Sequence, residues 1–262
     1  MVRGMRFNNW YPDNENDIRK FLPEVKEKKD ALAMIAPHAG WMYSGKTAGI
    51  VYASANISDT YIILCPNHTG LGCEISVYPS DLWETPLGNL EVDSELAGLI
   101  ISKSKYAQDD VTAHIMEHSI EVQLPFIKAL NPSAKIVPVC MMTHDYEKCD
   151  DLAKAIFDSV KELNRKVNIV ASTDMSHYSN VSIAKICDDM AIEQILKADA
   201  KNLFRTVEEK NISMCGVSAA TTALIYSKLS GVSGAELLRY SNSGEITGDF
   251  SEVVGYAGII VH

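Results

Sequence analysis

The apolar positions of this chain fall into two kinds of run. Short, continuous runs lie at 31–36 (ALAMIA), 61–65 (YIILC), 135–140 (KIVPVC), 167–171 (VNIVA) and 256–261 (YAGIIV). Rich in β-branched residues and mostly flanked by turn residues, they predict strands buried on both faces. Longer amphipathic stretches between them predict helices over 45–55, 93–104, 117–129, 146–163, 183–197, 200–210 and 217–229. Alternation of strand and helix predicts an α/β fold, a single domain over residues 1–262 with a largely parallel or mixed central sheet and helices on both faces. Residues 73–78 (CEISVY) read as an edge strand or hairpin arm, and 26–30 (KEKKD) as a solvated helix end before the first strand. Polar, Gly-rich 242–249 reads as a hairpin or loop before the last strand.

Composition narrows the class without changing that picture. At 262 residues, with 47% apolar and 22% charged positions, the chain is long enough to bury a sizeable core without disulfides. Its net charge of −10 opposes phosphate backbones, so nucleic-acid binding is not expected. No apolar run reaches the roughly 18 residues of a membrane span, and the first ten residues lack the apolar core of a secretion signal. Six cysteines form no C-x-x-C pair, which argues against zinc ribbons and thioredoxin-like motifs. Cytosolic thiols, and a cytoplasmic protein, are the expectation.

Candidate chemistry lies after the strands, where open α/β sheets bind their ligands. Four strands each deliver a histidine within a few residues of their end: His38, His68, His144 and His177. The loops around His38 and His68 share a pattern of apolar strand, proline, histidine and glycine. Two neutral imidazoles suit zinc, copper, iron or nickel, and a catalytic centre takes a third protein donor. Asp174, Glu117, Glu121 and Cys215 are the candidates. Cys215 precedes a small-residue helix, whose N-terminus is expected to lower the thiol pKa and suit it to a ligand's role. Asp174 lies three residues before His177 and is placed to orient it as a general acid or base. Met141 and Met142 beside His144 read as core residues, or as a hint of copper.

A competing string is His114-Ile115-Met116-Glu117-His118, the H-x-x-E-H signature of inverted zincin metalloproteases. It requires both histidines on one helix. Asp109, Asp110 and Thr112 place the helix start at or after His114, with Glu117 and Glu121 then on one helical face.

Six segments in order resemble the Memo family. They are Pro37-His38-Ala39-Gly40 with Tyr43-Ser44-Gly45, Pro66-Asn67-His68, and Trp83-Glu84-Thr85-Pro86-Leu87-Gly88. Glu117-His118-Ser119-Ile120-Glu121 with Leu124-Pro125 follows, then Ser172-Thr173-Asp174-Met175-Ser176-His177 and Cys215-Gly216. The ending Gly255-Tyr256-Ala257-Gly258 fits as well. The resemblance implies a fold like that of the class III extradiol dioxygenases (LigB-like), with a non-haem iron site at the strand ends. It implies that His38 and His68 are metal ligands and that Cys215 stands where those dioxygenases place a carboxylate. His177 is implied as the acid/base with Asp174 beside it, and Glu117 and His118 as pocket residues. Fe(II) is the metal so implied. A softer thiolate favours copper(I) or zinc instead and puts the dioxygenase reaction itself in question. The expected activity is metal-dependent redox or oxygen chemistry on a small molecule. The alternative is a vestigial pocket that captures a peptide, with Trp41, Trp83 and Tyr43 as anchors or simply as core residues. A radical-SAM protein and an AMMECR-type protein are the pathway partners the resemblance implies.

Overall fold

A computed structural model describes residues 2–232 and 234–262. Its strands are β1 (Val2–Arg3), β2 (Ala33–Ala36), β3 (Thr60–Pro66), β4 (Ile75–Val77), β5 (Leu82–Trp83), β6 (Leu90–Val92), β7 (Ala107–Asp109), β8 (Lys135–Met141), β9 (Val167–Ser172), β10 (Ala235–Asn242) and β11 (Gly255–Val261). They form one mixed sheet in the order β1-β5-β6-β8-β3-β9-β2-β11-β10, with β4 and β7 attached beside β8.

The centre of that order, β6-β8-β3-β9-β2, is parallel. Every residue of β3 and β9 is buried, as the unbroken apolar runs require of strands covered on both faces. β11 and then β10 add antiparallel strands at one side. The register decides where the site lies. Ala36 pairs with Ser172, Leu64 with Ala171, and Pro66 with Met141. The carboxyl ends of β2, β3, β8 and β9 therefore finish at one sheet edge, and the loops carrying His38, His68, His144 and Asp174 leave from it.

Helix Trp41–Ser54 packs on β2, β10 and β11, and helix Val217–Leu229 on β2, β3 and β9. The first begins four residues earlier than its periodicity predicts. Trp41 stacks on Phe126 at 3.7 Å between centroids, and its backbone N–H donates to the Trp10 carbonyl. Burial almost all round removes the amphipathic signal by which the start was sought. At Gly49 a Cβ would stand 1.8 Å from the Phe21 carbonyl oxygen, so the N-terminal segment lies directly across this helix.

Three expectations are corrected. Residues 117–129 are not one helix. Residues 121–123 form a 3-10 turn, and the α-helix runs only over Leu124–Leu130, with Pro125 in its first turn. A helix cannot run through Pro125 without losing a hydrogen bond, so it starts there. Residues 26–30 form no helix; Lys29 instead bridges Ala55. Within 242–249, Asn242 ends β10 and Gly244–Thr247 makes one helical turn, closed by Gly248 at φ +75°. β10 itself, partly exposed along its length, was hidden because it lacks a continuous apolar run. Among the described residues no helix is long and apolar enough to cross a membrane.

A histidine and cysteine site at the strand ends

His38 is buried immediately beyond β2, and three contacts set its ring and its backbone. Its backbone N–H donates to Asp174 Oδ1 at 2.8 Å. Its Nδ1 lies 2.9 Å from Ser172 Oγ, and its Nε2 lies 3.3 Å from Cys215 Sγ. The tautomer follows by elimination. Ser172 donates its only hydroxyl proton to the Ser119 carbonyl at 2.7 Å, so toward His38 it accepts. Nδ1 therefore carries the proton, and Nε2 presents a lone pair toward the thiol. Gln123 secures the same hydroxyl at 3.0 Å and the Pro37 carbonyl at 2.9 Å.

His68 follows the same rule with a different partner. Its Nδ1 lies 2.9 Å from Glu117 Oε1, and its backbone N–H donates to Glu117 Oε2 at 2.6 Å. Burial by itself would raise the Glu117 carboxyl. The hydrogen bonds from His68 and Ser119 override it and hold the group well below the usual carboxylate range. An ionised carboxylate only accepts, so His68 too donates from Nδ1. His118 stacks on His68 at 4.6 Å and lies 5.3 Å from His38, centroid to centroid. Burial, together with the neighbouring His68, lowers it to about 4 against the pull of Glu117, so it is neutral at pH 7.

His38, His68 and Cys215 each offer one donor atom, all within 4.8 Å of one another. This set fits a metal. A tetrahedral ion with ordinary imidazole and thiolate bonds spaces its donors by roughly 3.3–3.7 Å, close to the His38–Cys215 separation. Both imidazoles are also tied at Nδ1, the outer contact that orients metal-binding histidines. The grouping of His68, Glu117 and His118 is better explained as this orienting carboxylate, whose oxygens are already taken.

Cys215 itself corrects the expected lowered pKa. The helix begins at Val217 with Gly216 as its cap, so Cys215 stands before the cap. Its sulfur turns toward the Asp174 N–H at 3.3 Å and His38. Burial, with the Asp174 carboxyl beside it, pushes the thiol up in the metal-free protein. Gly216 lets the chain pass this close to β9, because a Cβ there would stand 2.4 Å from Thr173 Cβ and 2.7 Å from the Ser172 carbonyl oxygen. Gly216→Ala is expected to destabilise the protein by about 1–3 kcal/mol through overpacking and to displace Cys215. A denaturant titration and the rate of thiol modification check both parts.

Asp174 is buried and raised to about 6 by that burial, against the N–H donors of His38 and Ala39. It does not orient His177 as expected. His177 Nδ1 lies 2.9 Å from the Ser213 carbonyl, and its backbone N–H donates to Ser213 Oγ at 2.7 Å. A carbonyl accepts only, so His177 donates from Nδ1. Ser213, Ser172, Ser119 and Gln123 are the positioning residues that the sequence reading missed. No spacing signal marks them; only tertiary contact does.

His38, His68, His118, Asp174 and His177 line one cleft of about 1080 Å³. Trp10, Trp41, Tyr43, Tyr178 and Tyr256 supply aromatic walls, and among the described residues no lysine or arginine lines it. Trp83 is buried elsewhere, under the Arg3 guanidinium at 4.6 Å.

The zincin reading loses its helix. Residues 114–118 contain no α-helix, and His114 ends a 3-10 turn with Nε2 3.1 Å from the Ser76 carbonyl. Among the described residues His114 belongs to neither potential metal-ligating group. Glu121 is likewise no ligand: it is the buried partner of Arg3. Burial lowers His114 to about 4. A histidine depressed below its unfolded value contributes stability that is present above about pH 6.5 and lost as pH falls toward 4. Acid unfolding followed by circular dichroism should show that loss, and His114→Gln should flatten it.

An α/β sheet whose strand-end loops bring three histidines to an aromatic cleft, with a cysteine sulfur 3.3 Å from one of them, defines the class of protein. The model of the Memo-like protein family matches residues 7–260. A MEMO1 family protein of Methanopyrus kandleri is 39% identical over 269 residues, covering 96% of this chain and 95% of its own length. One from Methanothermobacter thermautotrophicus is 41% identical over 239 residues, covering 90% and 86%. One from Methanobrevibacter smithii is 42% identical over 267 residues, covering 95% of each. The chain belongs to the Memo family.

Proposed function

We propose that this protein binds a transition-metal ion through His38, His68 and Cys215 and uses it on a small uncharged aromatic molecule held in the cleft. One observation carries the reading: His38, fixed as the Nδ1–H tautomer, turns its Nε2 to the Cys215 sulfur at 3.3 Å, and His68 brings a third donor atom, all three within 4.8 Å of one another. Fe(II) is the leading candidate, with copper or zinc as the alternatives a thiolate favours. Bound iron or copper would supply redox chemistry, and zinc Lewis acidity alone.

The protein's own part is binding and proton transfer. Aromatic walls suit a planar ring. The absence of lysine and arginine from the described lining residues disfavours a carboxylate or phosphate substrate. His177, held through Nδ1 by the Ser213 carbonyl and lining the same cleft, would take a proton from a phenol-like hydroxyl at Nε2. His118, neutral at pH 7, leaves that region without added positive charge.

Exposed Met42 and Tyr178 at the cleft favour a second reading, capture of a peptide without turnover. Oxygen uptake with phenolic and catecholic compounds separates the two. Metal-dependent uptake that falls in His177→Ala supports the enzyme. Saturable binding without uptake supports the capture module.

A further inference from the structure

A second, smaller cavity of about 450 Å³ adjoins the histidine–cysteine set, with His68 and Cys215 in its lining. The two cavities divide the donors between them. His38 lines only the aromatic cleft, Cys215 lines only the smaller cavity, and His68 lines both. The donor set therefore stands in a partition and is reached from two sides. The smaller side has a different chemistry. Met141 ends β8, Met142 follows it and His144 comes two residues later, so two methionines and a histidine line the cavity that Cys215 also lines. Their exposure is graded: His144 is exposed, Met142 half-buried and Met141 buried. Among the described residues none of the three side chains makes a hydrogen bond or ion pair, while the backbone holds Met141 in β8 and ties the Met142 N–H to the Glu74 carbonyl at 2.8 Å.

We propose that this smaller cavity is the entry route of the metal ion, with His144 and Met142 as transient donors that pass a soft or borderline transition-metal ion to Cys215 and His68. Thioether and imidazole bind such ions weakly enough to release them to a thiolate with two histidines. A separate entrance has a physical use. A ring filling the aromatic cleft covers His38 and His68 from that side but leaves the sulfur side open to exchange. The proposal rests on the metal-site reading above.

The test is the rate at which metal-free protein takes up cobalt(II) alone, followed by stopped-flow absorbance of the thiolate-to-cobalt band, with equilibrium affinity measured separately. His144→Ala and Met142→Leu remove donors, while Met142→Trp narrows the cavity. Uptake is expected to slow on the order of tenfold, the scale on which outer donors matter at metal sites, with the final affinity and spectrum unchanged. Met42→Trp, which narrows the aromatic cleft instead, should take up cobalt at the wild-type rate. Wild-type rates in all three cavity variants, or slowing in Met42→Trp alone, would overturn the entry route and leave the metal site standing. No thiolate band in the wild-type protein at any cobalt concentration would remove the metal site itself, and the route with it.

Discussion

Cys215→Ala and His68→Ala should each lose more than 100-fold in metal affinity while remaining folded. The standard of comparison lies in the same site. Removing an outer partner of a metal-binding histidine costs roughly 10–100-fold in affinity, and Glu117→Gln is such a change, since it weakens the acceptor at His68 Nδ1 without touching a donor atom. Loss of a direct donor should exceed it. Cys215→Ala removes the one thiolate, the softest donor in the set, so copper(I) and zinc affinity should fall further than iron(II) affinity. Competitive titration against a chromogenic chelator reads all three variants, and circular dichroism checks the fold. Equal affinity in Cys215→Ala and wild type would exclude the thiol as a ligand and return the third position to Asp174, whose carboxyl is raised to about 6 by burial beside it. Metal retained in full by both variants would end the site.

The largest stability effect should come from Glu121→Ala. This carboxylate is buried and pairs with the Arg3 guanidinium. It also accepts from the Phe7 N–H at 2.7 Å, the Arg6 N–H at 3.0 Å and the Tyr11 hydroxyl at 2.7 Å. Arg3 donates further to the carbonyls of His114 and Glu117, at 3.1 and 2.9 Å. Removing one partner of a buried pair leaves the other charge without compensation, at a cost of about 3–5 kcal/mol. For a chain of this size that is a fall in Tm of roughly 6–20 °C. The consequence reaches the cleft. Phe7 and Trp10 lie against His118, at 5.6 and 4.8 Å between centroids, on the segment that Glu121 anchors. The variant should therefore weaken binding of any cleft ligand even below its Tm. Differential scanning calorimetry measures the first effect. The double variant Arg3→Met with Glu121→Leu should recover only the part owed to the uncompensated Arg3 charge, because the Tyr11 hydroxyl and the Arg6 and Phe7 N–H groups still lack their acceptor. A fall in Tm under 3 °C for Glu121→Ala would show that this pair does not anchor the N-terminal segment.

The positions read correctly from sequence share a physical cause. A strand buried on both faces must be apolar throughout, so β3, β8 and β9 announce themselves without help from the rest of the chain. Parallel strands finish at one edge, so the residues just beyond them become neighbours whatever their separation in sequence. His38, His68 and Asp174 were legible for that reason. Segments of two or three residues, such as β1, β5, β6 and β7, carry too short a pattern to be seen. The segment 117–123 misled because its apolar spacing suits a helix while Pro125 and the buried carboxylates of Glu117 and Glu121 hold it in turns.

By itself, the sequence determined the α/β class, the central strands and the strand-end loops that carry the histidines, because local apolar period and strand direction are enough to specify these. It did not determine what those side chains do. That His38 and His68 carry their protons on Nδ1 depends on Ser172 and Glu117, reached across 134 and 49 residues. That His177 is held by Ser213 rather than Asp174, and that Glu121 anchors Arg3 rather than a metal, depends on contacts equally remote in the chain. Tautomer, charge state and partner are set by which groups lie within about 3 Å in a buried site. No spacing along the chain encodes that distance; only the folded sheet creates it.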